Sequence, residues 1–63
     1  MKESRAEKLI RGFAALHRST HLEDQSDAAA LDGKNKEALE LMVQASEELD
    51  KAEEYLRESR KAA

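Results

Sequence analysis

The chain has 63 residues, 40% of them charged and 3% aromatic, with no cysteine, no proline and a formal net charge of −3. A chain this short forms one domain and buries about 60% of the surface its unfolded form exposes. The missing cysteines exclude disulfides, thiolate zinc sites and a cysteine nucleophile. No apolar run comes near the roughly 20 residues of a membrane span, the first residues lack the apolar core of a secretory signal, and a cytoplasmic location is the expectation.

Helix-period spacing predicts a first helix over about residues 3–17, with Ala6, Leu9, Ile10, Phe13, Leu16 and His17 gathered on one core-facing side. Lys8, Arg11, Arg18 and Glu7 fall opposite. Glu7 and Arg11 stand four apart in the favourable orientation, which contributes about 0.3–0.5 kcal/mol. Gly12 lies off the apolar side and weakens a helix by about 1 kcal/mol relative to Ala; the alternative is that a neighbouring backbone approaches it closely.

The apolar stripe fails between Arg18 and Asp27, where Leu22 is the one large apolar residue. Thr20-His21-Leu22-Glu23 has the form of a capping box, which predicts a short second helix or ordered loop over about 21–31. The rival reading carries the first helix through this region as one long arm. Asp32-Gly33-Lys34-Asn35 then predicts a tight turn over 32–35, with Gly33 stopping one helix and Asp32 or Asn35 capping the next.

A long last helix is predicted over about 36–60, supported on its wet side by the pairs Glu47–Lys51 and Glu53–Arg57. Its apolar residues Ala38, Met42, Ala45, Leu49, Ala52 and Leu56 follow an unbroken 4-3-4-3-4 spacing, the narrow stripe of a coiled coil that asks for a facing helix. Toward its start Leu39, Leu41 and Val43 widen the stripe enough to touch two neighbours. A first helix of about fifteen residues is roughly 15 Å shorter than the last one. The distal part of the long helix therefore lacks an intrachain cover, and a second chain is expected there, on Ala45, Leu49, Ala52, Tyr55 and Leu56.

Charge is divided unevenly. Residues 1–21 carry a balance of +3 and the remainder −6, so the two halves attract, within a chain or between chains. Arg5, Lys8, Arg11 and Arg18 form a basic side of the first helix, able to meet phosphates if two copies lie side by side. An acidic chain with one Phe and one Tyr is otherwise poorly suited to nucleic acid. A membrane-surface role is disfavoured because that helix needs its apolar side for the core and lacks Trp.

His17 and His21 are four apart, the spacing at which two imidazoles share a metal, with Glu23 or Asp24 as a third ligand. No Glu follows His17 directly, however, and Arg18 adds positive charge beside any cation. The serines stand in no nucleophile-elbow context, and two glycines make no phosphate loop. No catalytic, cofactor or metal residue is therefore assigned. The expectation is an all-α chain, a helical hairpin or small three-helix unit with a long C-terminal helix, assembled as a dimeric helical bundle. Its expected work is non-catalytic protein–protein interaction, as a small regulator, adaptor or accessory protein acting by helix packing; the alternative is a dimeric nucleic-acid-binding regulator.

Overall fold

A capping box opens the first helix. The Ser4 hydroxyl accepts from the Glu7 backbone N–H at 3.1 Å, and the Ser4 N–H donates to the Glu7 carboxylate at 3.3 Å. The computed structural model describes residues 3–61, which form two helices of equal length, α1 (Arg5–Leu31) and α2 (Asn35–Lys61), folded back on one another.

The separate helix expected over 21–31 does not exist. α1 is continuous through it, and Thr20 is no cap: its hydroxyl donates back to the Leu16 carbonyl within the helix at 3.2 Å. The three-helix unit is corrected to a two-helix hairpin. Continuity also removes the length argument, because both helices have 27 residues and the distal half of α2 lies along its own α1.

The turn works through Gly33. Its N–H donates to the Ala30 carbonyl at 3.0 Å and the Lys34 N–H to the Ala29 carbonyl at 2.9 Å, the pair of bonds that ends a helix on a left-handed residue. Gly33 has φ +78, and nothing lies within 4 Å of a Cβ placed there. Gly33→Ala is expected to cost about 1 kcal/mol through backbone strain alone, and Gly33→Asn much less, because Asn visits that region readily. Urea unfolding followed by circular dichroism separates the two. Neither Asp32 nor Asn35 caps α2; Asn35 is already its first residue, and the first intrahelical bond runs from Ala38 N–H to the Lys34 carbonyl.

What packs between the helices is small. On α1 the buried residues are Gly12, Ala15, Ser19, Ser26 and Ala29, with Leu22 half-buried among them; on α2 they are Ala38, Ala45, Ala52 and Ser59. Gly12, Ser19 and Ser26 recur every seventh residue, and so do Ala38, Ala45, Ala52 and Ser59. A seven-residue repeat keeps one stripe of each helix facing the other along their whole length. With no bulk in the stripe the backbones come very near: a Cβ on Gly12 would lie 2.8 Å from Leu56 Cγ and 3.5 Å from the Ala52 carbonyl oxygen. Gly12 is thus the site of a close approach, and the reading of it as a mere weak point is corrected.

Two hydroxyls cross the gap. Ser19 Oγ donates to the Ala45 carbonyl at 2.9 Å and Ser26 Oγ to the Ala38 carbonyl at 2.7 Å. Each carbonyl has a second lone pair beyond its helical bond, so the hydroxyl is satisfied without opening the facing helix. Together with Gly12 against Ala52, these bonds set the register: residue 12 lies level with 52, 19 with 45 and 26 with 38.

Candidate interaction surface

The seam divides the hairpin into two unlike sides. A helix turns 100° per residue, so on α1 Arg11 and Arg18 flank the Gly12–Ala15–Ser19 stripe on one side, and Leu9, Phe13 and Leu16 on the other. On α2, Glu48 and Tyr55 flank the alanine stripe on the first of these sides, and Met42, Leu49 and Leu56 on the second.

The first side is laced with charge. Arg18 Nε sits 3.4 Å from Glu48 Oε1, Lys51 Nζ 3.9 Å from that same oxygen, and Lys8 Nζ 3.8 Å from Glu58 Oε2. Arg11 is held charged, its pKa raised first by a hydrogen bond to the Tyr55 phenol and then by the Glu3 carboxylate, 2.8 Å from its Nε. Exposed pairs of this kind contribute about 0–1 kcal/mol each, but their pattern joins the basic front of α1 to the acidic α2. Attraction between the two halves is realised within the chain.

The second side is apolar and open. Leu9, Phe13, Leu16, Leu39 and Met42 are between 39% and 68% exposed, and no large side chain anywhere in the described residues is fully buried. The core-facing role expected for Ala6, Leu9, Ile10, Phe13, Leu16 and His17 is corrected: all six are solvent-exposed, because the side of α1 that meets α2 is the small-residue stripe one-quarter turn away. Ile10 and Val43 point outward from the backs of their helices.

The five residues expected to meet a second chain are split by this arrangement. Ala45 and Ala52, at 2% and 1% exposed, lie in the hairpin's own seam. Leu49 and Leu56 are half-buried on its apolar side, while Tyr55 sits on the charged side beside Arg11. Leu39 and Val43 are exposed and Leu41 is half-buried. Of the basic residues, Lys8, Arg11 and Arg18 are all engaged by carboxylates of the same chain.

His17 and His21 are exposed on α1, with His21 Nε2 3.4 Å from the Gln25 amide nitrogen. Among the described residues no three His, Asp or Glu side chains gather around a common point. No described helix is long and apolar enough to cross a membrane. One surface hollow is lined by Lys51, Glu54, Tyr55 and Glu58.

Hydropathy periodicity misses the inner side of α1, because Gly and Ser carry no apolar signal. The sevenfold recurrence of Gly12, Ser19 and Ser26 opposite that of Ala38, Ala45, Ala52 and Ser59 is the feature from which it is legible. No protein-family model, curated protein or solved structure matches the chain.

Proposed function

We propose that the chain is a non-catalytic interaction module, a small helical regulator, adaptor or accessory protein that works by laying one side of its hairpin against other helices. The observation that carries this reading is the inversion of the usual packing: alanine, glycine and serine fill the inside, and leucine, phenylalanine and methionine stand outside on one side. Burial of a large apolar side chain is worth about 1.5–3 kcal/mol, and the hairpin alone forgoes most of it. Contiguous apolar surface of this kind marks sites where another polypeptide docks.

The nucleic-acid alternative draws on Arg5, Lys8, Arg11 and Arg18, three of which already face carboxylates. Phosphate binding by that side would require those pairs to break, so the apolar reading is preferred.

The test compares the wild type with Phe13→Glu/Leu39→Glu, two sites that the hairpin itself leaves in water. Both proteins are expected to show the same helical circular dichroism. The wild type is expected to run in a complex, with itself or with another polypeptide retained from nuclease-treated extract, and the variant to run alone. Complex formation that survives both substitutions, or a wild type that associates with nothing, overturns the reading.

A further inference from the structure

Resting on that reading, we infer that the occupant of the apolar side is a second copy of this chain, laid head to tail to complete a four-helix bundle. Three features point to a self-complementary partner.

The first is area. A compact monomer of 7.1 kDa exposes about 4100 Å², whereas this hairpin exposes 4926 Å². The excess of roughly 800 Å² equals what each partner buries in a standard-sized interface. The cause is shape: with Cα extents of 46 × 18 × 13 Å, the protein is one helix thick and has no second layer against which to form a core. A second hairpin of the same length supplies that layer over the full apolar side.

The second is the position of the apolar residues along the rod. By the register above, Leu39 lies level with residue 25 of α1 and Leu56 with residue 8, on either side of the level of His17. A twofold axis at that level brings Leu39 of one copy to Leu56 of the second copy, with Met42 and Leu49 of both copies at levels between these two contacts. Leu16 of each copy then meets near the axis. The α2 half of the side therefore presents a leucine at matching distances in both directions, as an isologous interface requires.

The third is charge. In its front part α1 carries Arg5, Lys8, Arg11 and Arg18, and from Leu22 to Leu31 its charged residues are Glu23, Asp24 and Asp27. Lys8, Arg11 and Arg18 are taken up by carboxylates of their own chain, but head-to-tail stacking brings Arg5 of one copy within a turn of the level of Asp27 of the second copy. Same-end stacking would instead place Glu23 and Asp27 of both copies together beside Met42 and Leu39. One rim contact opposes the chosen order: Glu53 and Glu23 come to one level, so Glu53→Lys is expected to tighten the assembly.

Sedimentation of the full chain over a hundredfold concentration range tests the occupant, and cysteine cross-linking tests the order. The wild type is expected to be a dimer. Phe13→Glu/Leu39→Glu is expected to weaken it at least a hundredfold, while Ile10→Glu, on the back of α1, leaves it unchanged. The native chain has no cysteine, so Leu39→Cys/Leu56→Cys is expected to form interchain disulfides that neither single substitution forms. Efficient cross-linking through Leu39→Cys alone overturns the head-to-tail order. A wild type that stays monomeric at the highest concentration overturns the second copy as occupant; if it still retains another polypeptide from extract in a manner abolished by Phe13→Glu/Leu39→Glu, the interaction reading stands without it.

Discussion

Ala45→Leu is expected to lower the stability of the hairpin by about 3 kcal/mol, the upper end of the range for overpacking. Ala45 is almost wholly enclosed, and its own carbonyl receives the Ser19 hydroxyl at 2.9 Å. Three added carbons there meet backbone across the seam. Backbone has no rotamer by which to yield, so the helices must part. Parting them stretches the Ser19 and Ser26 bonds and loosens Gly12 from Ala52, which spreads the cost along the rod. Gln44→Leu, one residue before and exposed away from the apolar side, is the control; it places the same side chain at a wet position and is expected to change stability by less than about 0.5 kcal/mol. Urea titrations of both variants, at one protein concentration because association shifts apparent stability, give the comparison.

Replacing both seam serines, Ser19→Val/Ser26→Val, is expected to cost about 2–4 kcal/mol, from two lost hydrogen bonds at about 1 kcal/mol each and two methyl groups placed where the helices nearly touch. The companion variant Ser19→Ala/Ser26→Ala separates the causes. It removes the same hydroxyls without adding volume, and Ala is the better helix former, so a net loss of only about 1 kcal/mol is expected. Near-equality of the two variants in chemical denaturation would show that the seam has room to spare, against the 2.8 Å approach at Gly12.

The helical class, the Gly33 turn and the span of α2 were legible in the residues, because each has a strong local cause. Left-handed backbone favours Gly, and a 4-3-4-3-4 stripe has one helical meaning. α1 was harder for a physical reason. Its inward side is Gly12, Ala15, Ser19, Ser26 and Ala29, residues that hydropathy counts as weak or polar, so the large residues on a different side claimed the role of core. The loss of large apolar residues after Arg18 looked like the end of a helix, yet the small-residue stripe runs through Ser19 and Ser26 without a break. The 4-3-4-3-4 spacing marks the alanines of α2 as a packing stripe, and their partner is the same chain because α1 reaches Leu31. For the surface residues, side of the rod decided everything: Leu56 and Tyr55 are neighbours in sequence, and one borders the apolar side while the other joins the ion pairs.

The equal spacing of the small residues has one more consequence. Shift α2 along α1 by seven positions, and Ala45 arrives where Ala38 stood, Ala52 where Ala45 stood, with a hydroxyl and a carbonyl again in range. Such a ladder has interchangeable rungs, and little in the side chains of the seam tells one rung from the next. The two non-helical residues beyond the Asp32 cap do that numbering: a connection so short closes in a single way, whereas a longer one would let the rod sample displaced alignments of nearly equal energy. Uniqueness here is a property of the bend, and strength a property of the arms.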